Sequence, residues 1–196
     1  MSPLLSRLLT HTPPIVKRQA LVQLFRATAA AFRADMPRLS GLSQEQCLLA
    51  YARFTAERAE AALRQGDDLP ALQARLHKNA YRLGRLLGRL LGVRSVDDTM
   101  MLGRYLYGIL DTDFDGSDSG RASAEITIRR CYFSSYYSPE VCQVMSAMDR
   151  GLLAGLAGGG DLAFSQRITE GHACCRARFT LAGNSASAPS QEEQIR

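Results

Sequence analysis

The stretch DTDFDGSDSGRASAEITIRRCYF (residues 111–133) divides the chain into two kinds of sequence. Its latter part, 125–133, alternates β-branched and polar residues around Ile126, Thr127 and Ile128, as a half-buried strand requires. Its first part, 111–121, is acidic and glycine-containing and reads as a loop. Everything upstream has helical spacing. Ile15, Val16, Leu21, Val22, Leu24, Phe25 and Phe32 predict a helix over 15–34 that ends at Met36-Pro37, because the residue before proline is pushed out of the α region. Ser43 and Gln46 form a capping box ahead of 44–65. Gly66-Asp67-Asp68 is a turn, and Pro70 suits the first turn of 70–91, whose Leu72, Leu76, Leu83, Leu87 and Leu90 share a face. Ser95 ahead of Asp97 and Asp98 caps 96–110.

Downstream, Ser138-Pro139-Glu140 starts a helix over 139–156 that ends in Gly158-Gly159-Gly160. Segments 162–169 and 173–181 read as strands joined at Glu170-Gly171, a connection short enough for a hairpin. The expected fold is α+β, an N-terminal helical half packed on a small antiparallel β-sheet with one further helix. Residues 1–182 are expected to form a single domain and the polar tail 183–196 to be disordered.

In 196 residues no apolar run reaches the roughly 18 needed to span a bilayer, so no membrane span is expected. MSPLLSRLLTHTPP is broken by Arg7 and prolines, which does not suit a secretory signal, and five cysteines are an odd number for a disulfide framework. Reduced thiols in a cytoplasmic setting are the expectation. The net charge of +5 is uneven: residues 1–110 carry 16 Lys and Arg against 8 Asp and Glu, and residues 111–196 carry 8 against 11. A basic half raises nucleic acid or a membrane surface as a partner. Arg75, Lys78, Arg82, Arg85 and Arg89, however, form one stripe opposite a leucine face, which reads as the solvated side of an amphipathic helix. No aromatic interleaving accompanies them, and no nucleic-acid partner is expected; one such arginine could clamp a substrate carboxylate.

Asp111, Asp113, Asp115 and Gly116 match the opening of an EF-hand loop, but Ala122 stands where the bidentate glutamate belongs. The glycine run 151–160 closes a helix and ends in Asp161, not in the Gly-Lys-Ser/Thr of a phosphate loop. Cys131, Cys142 and Cys175 could hold a metal or an iron–sulfur cluster, yet no Cys-x2-Cys knuckle is present, and no metal or cofactor is expected. Asp149 lies seven residues after Cys142, on the same helix face; Glu170, His172 and Cys175 follow in the final hairpin. Asp, His and Cys are the residue types that hydrolysis needs as base, proton donor and nucleophile.

The pattern Cys131-Tyr132-Phe133, Ser138-Pro139-Glu140-Val141-Cys142, Asp149 and the run FSQRITEGHACCRARF (164–179) resembles the L-2-amino-thiazoline-4-carboxylic acid hydrolase family over residues 125–181. That family is in turn similar to vinyl-reductase-type small-molecule-binding domains, which are α+β with a ligand pocket between helices and sheet. The resemblance implies ring-opening hydrolysis of a cyclic amidine-like carboxylate to an N-carbamoyl amino acid. Water or the Cys175 thiolate would attack the ring carbon, Asp149 would act as base and His172 would protonate the leaving group. Cys131, Cys142 and Glu170 would contact the small-molecule substrate. Arg176-Ala177 stands where the family has an acidic residue followed by an aromatic one. A non-catalytic binding or sensor domain of the same fold, and a metal protein built on the cysteines, are the alternative expectations.

Overall fold

A computed structural model describes residues 13–118, 120 and 122–182; the tail 183–196, for which disorder was expected, lies outside the described residues. The helices begin and end where local chemistry places them. Helix α1 (Pro14–Phe32) starts with proline at its first position and stops at Arg33, which takes the left-handed conformation. In α2 (Gln44–Gln65) the Ser43 hydroxyl accepts from Gln46 N–H while the Gln46 side chain accepts from Ser43 N–H, the reciprocal capping box. Asp68 caps α3 (Leu69–Leu91), Ser95 caps α4 (Val96–Ile109) and Ser138 caps α5 (Pro139–Ala157). Gly66, Gly92 and Gly158 terminate α2, α3 and α5 in the left-handed region that glycine adopts without penalty.

Four strands, β1 (Asp113–Asp118), β2 (Ser123–Arg130), β3 (Asp161–Gln166) and β4 (Cys175–Thr180), form one antiparallel sheet in the order β1-β2-β4-β3. The expected α+β architecture is thus present. Two local expectations about the strands are corrected. The acidic segment is not a loop: Phe114 is buried opposite Ile128, and β1 is an edge strand drawn into register by β2. Its carboxylates meet arginines, Asp111 taking Arg130 at 2.8 Å and Asp115 taking Arg104 at 2.5 Å. The last hairpin does not turn at Glu170-Gly171 alone. The β3 strand ends at Gln166, a 3-10 turn covers Ile168–Glu170, and β4 starts only at Cys175.

Alternation on β2 buries Ala124, Ile126 and Ile128, and on β4 it buries Cys175, Ala177 and Phe179, so both strands send apolar side chains to one face. That face packs on α4 and α5 through Leu102, Leu153 and Leu156. On its far side α5 presses against α3 with four glycines at the contact. A Cβ on Gly84 or Gly88 would run into the carbonyl oxygens of Leu152 or Leu156, and one on Gly151 or Gly155 into those of His77 or Tyr81. The glycine run therefore serves helix–helix approach within α5 before it ends the helix. Leu90, expected on the leucine core face, is instead 63% exposed.

Candidate functional site

One face of α5 carries Cys142, Met145, Ser146 and Asp149, at the three- and four-residue steps that align side chains on a helix. These four line a pocket whose opposite walls are Tyr107 from α4, Ile128 and Cys131 at the end of β2, and Arg167, Thr169 and Cys175 from the β3–β4 connection and β4. The empty space, counting its mouth, is about 610 Å³. Aliphatic and aromatic side chains together with the three thiols make most of the wall, so the polar groups define what the pocket can recognise.

Asp149 is the first of them. Tyr107 donates its phenol proton to Asp149 Oδ1 at 2.6 Å. Enclosure by protein pushes the carboxyl up to about 6, against the opposing pull of the Tyr107 hydrogen bond and the Arg167 charge. The same burial holds the Tyr107 phenol well above its ordinary value, so it remains a donor. Behind Asp149 stand two further anchored phenols. Tyr137 OH lies 2.6 Å from Thr55 Oγ1, and Tyr51 OH lies 3.0 Å from Thr28 Oγ1. Both threonine hydroxyls donate to carbonyls of their own helix, Thr55 to Tyr51 at 2.9 Å and Thr28 to Leu24 at 2.9 Å, which leaves their lone pairs for the tyrosines.

Arg167 is the second. Its guanidinium stacks on Phe164 at 5.0 Å and donates through Nη1 to Glu170 Oε1 at 3.2 Å. The side chain is only 17% exposed, and its buried Nε has no hydrogen-bond partner among the described residues. A buried, charged N–H left in that condition is the group most in need of an acceptor.

The three thiols are all suppressed as nucleophiles. Burial pushes Cys131 up to about 11 and raises Cys142 and Cys175 as well. Backbone groups pull Cys131 and Cys175 back only in part; for Cys175 the donor is Ile168 N–H, 3.4 Å from Sγ. A protonated thiol is a small apolar wall, not an attacking group.

Of the six site residues expected from sequence, Asp149, Cys131, Cys142 and Cys175 converge on this pocket. Glu170 does not line it but reaches it indirectly, because its carboxylate holds Arg167 and accepts from Gln143 Nε2 at 3.3 Å. His172 is exposed on the β3–β4 connection and does not line the pocket, since the 3-10 turn and Gly171 at φ 91° carry it outward. Two residues escaped the sequence reading of roles. Tyr107 lies near the end of α4 among apolar neighbours, and Arg167 stands inside the 164–179 run with no distinguishing neighbour. The arginine at the pocket is thus from the sheet connection; Arg75 of the basic helix spends its Nε on the Ala31 carbonyl at 3.0 Å. Among the described residues no three His, Cys, Asp or Glu side chains gather so as to hold a metal ion, and no helix is long and apolar enough to cross a membrane.

No family model and no curated protein matches the chain. Solved structures do. One is a trafficking protein particle complex subunit 3 from Naegleria fowleri covalently bound to palmitic acid, 14% identical, covering 66% of this chain and 94% of that one at a TM-score of 0.48. Another is an H-NOX protein from S. oneidensis in the Fe(II)NO ligation state, 15% identical, covering 92% and 99% at a TM-score of 0.37.

Proposed function

We propose that the chain binds a small heterocyclic carboxylate in the pocket between α4, α5 and the β3–β4 connection. The observation that carries this reading is the pairing of an enclosed carboxyl, Asp149, with a buried cation, Arg167, whose Nε has no acceptor. Asp149 suits a ring N–H donor such as a cyclic amidine, and Arg167 suits the carboxylate of the same molecule. The apolar remainder of the wall suits the ring.

A second reading, hydrolytic ring opening, is favoured by the Asp149 carboxyl lying at about 6, near the working pH of a general base. A water held by Asp149 would lose one proton to the carboxylate as its oxygen bonds to the amidine carbon and the C=N π pair moves onto the ring nitrogen. The ring C–S bond would then break as that pair re-forms the C=N bond, the departing sulfur would take the proton back from Asp149, and the resulting isourea would tautomerise to the carbamoyl product. In this route Cys175 is wall, and His172 has no part.

Titration calorimetry of the full chain with 2-amino-thiazoline-4-carboxylate, followed by a product assay, tests both readings. Binding is expected, and Asp149→Asn and Arg167→Gln each weaken it about tenfold or more, while Cys175→Ser leaves it within about twofold. Failure of the parent chain to bind this compound or any related small heterocyclic carboxylate overturns the binding reading. Binding without turnover overturns only the hydrolytic one.

A further inference from the structure

The start of α1 and the end of α3 form a surface that the pocket does not explain. The two helices run side by side in opposite directions, with Asn79 Nδ2 donating to the Ala27 carbonyl at 3.1 Å and Arg75 Nε to the Ala31 carbonyl at 3.0 Å. Followed onward, this alignment brings Val16 and Leu90 to the same end. There the helices part over a groove of about 530 Å³ lined by Leu21, Leu24, Leu83 and Leu87. Beside it stand the exposed large hydrophobics of the described residues: Ile15 at 67%, Val16 at 41%, Leu86 at 55% and Leu90 at 63%.

Charge on these helices has one sign. Neither α1 nor α3 contains Asp or Glu, whereas α1 carries Lys17, Arg18 and Arg26 and α3 carries Arg75, Lys78, Arg82, Arg85 and Arg89. Lys78, Arg82, Leu86 and Leu90 follow one another at four-residue steps, so the exposed leucines continue the same stripe as the cations. Among the described residues no carboxylate lies within ion-pair distance of any of these cations.

We propose that this face docks on an anionic lipid bilayer, with Ile15, Val16, Leu86 and Leu90 entering the interface and the flanking cations meeting lipid phosphates. An amphipathic surface with aliphatic residues beside long basic ones is what an interfacial helix presents. A second copy of the chain is a poor occupant, because a two-fold contact would set one acid-free basic face on another. A partner helix is a poor occupant too: the groove holds roughly one turn of a helix about 10 Å wide, and the patch has none of the aromatic anchors that dominate protein interfaces. A fluid sheet of phosphates needs no fixed register. The groove shares Tyr107 and Leu110 with the Asp149 pocket, but Ile15, Val16, Leu86 and Leu90 do not line that pocket, so attachment does not rest on what the pocket binds.

The chain contains no tryptophan, so Leu90→Trp in the full chain of 196 residues gives a single reporter. With vesicles of phosphatidylcholine carrying about a third phosphatidylserine, its emission shifts to the blue and the protein cosediments. Arg82→Gln and Arg89→Gln each weaken binding about fivefold, and added salt weakens it further. The folded double variant Leu86→Ser, Leu90→Ser, checked by circular dichroism, loses cosedimentation. Equal binding to pure phosphatidylcholine overturns the proposal, as does no response to either vesicle. A reporter already blue-shifted without vesicles and unchanged by them also overturns it, since the patch is then covered by the chain itself or by another copy.

Discussion

Asp149 and the thiols around it share one environment and respond to it in the same chemical sense, each holding its proton more firmly than in water. For the carboxyl, enclosure raises the folded-state value to about 6 from an ordinary 3.8. Between those limits the folded chain holds a proton that the unfolded chain has released. The resulting stabilisation is fully present below about pH 4 and is lost as pH rises through about 6. Asp149→Asn keeps an acceptor for Tyr107 and removes the titration. In urea unfolding it is expected to be more stable than the parent at pH 8, by on the order of 1–3 kcal/mol, and to lose that advantage by pH 4. Parallel pH profiles for the two proteins would show that Asp149 is ionised freely in the fold. For the thiols, enclosure keeps the proton on. Cys131, Cys142 and Cys175 are expected to resist iodoacetamide at pH 7.5 in the native protein and to react on unfolding, as read by peptide mass mapping. Rapid native alkylation of Cys175 would return it to the role of nucleophile.

At the scale of elements, what was legible in the sequence is what local chemistry determines. Caps at Ser43, Ser95 and Ser138 and the glycines at 66 and 158 act within a turn of themselves, and the helices they bound are present. The three- and four-residue rhythm on α5 likewise placed Cys142 and Asp149 on one face, which is the pocket wall. The β1 strand was illegible because Asp113, Asp115, Gly116 and Ser117 have no strand preference; its register comes from hydrogen bonding to β2 across the sequence. His172 was misplaced for a related reason, since a two-residue turn and a 3-10 turn differ little in composition but aim side chains differently. The pairings of Tyr107 with Asp149 and of Arg167 with Glu170 at the pocket depend on how whole elements meet. The glycines of α3 and α5 illustrate the same point. Read along the chain the 151–160 run only closes a helix, yet a Cβ on Gly84 or Gly151 would strike backbone of the facing helix, which has no rotamer to yield. Gly84→Ala and Gly151→Ala are each expected to cost about 3 kcal/mol, roughly 6–12 °C in Tm. Gly108 on α4 has no atom within 4 Å of its would-be Cβ, so Gly108→Ala should gain a few tenths to about 1 kcal/mol from helix propensity instead. Similar melting temperatures for all three variants would mean that α3 and α5 are farther apart than described.

Across the whole molecule the charge is sorted by region. The sheet half carries exposed mixed pairs, Arg130 with Asp111 at 2.8 Å, Arg150 with Asp161 at 3.0 Å and Arg178 with Glu125 at 3.5 Å, each worth little in water. The α1–α3 face has cations alone, and there like charges at helical spacing repel. Arg82 illustrates the cost: Lys78 lies four residues before it and Arg85 three after it, both unfavourable neighbours. Arg82→Glu converts both contacts to attractions. At low salt the variant is expected to gain about 1 kcal/mol, or roughly 2–4 °C in Tm, with the gain fading at about 1 M salt, where charges are screened beyond about 3 Å. Arg82→Gln should give about half of that gain. The same substitutions weaken attachment to anionic vesicles, so stability and attachment move in opposite directions, as they do at surfaces kept for binding at the expense of the isolated fold. If Arg82→Glu instead destabilises the protein equally at low and high salt, the Arg82 stem contributes through packing, and uncompensated charge on this face carries no cost for attachment to offset.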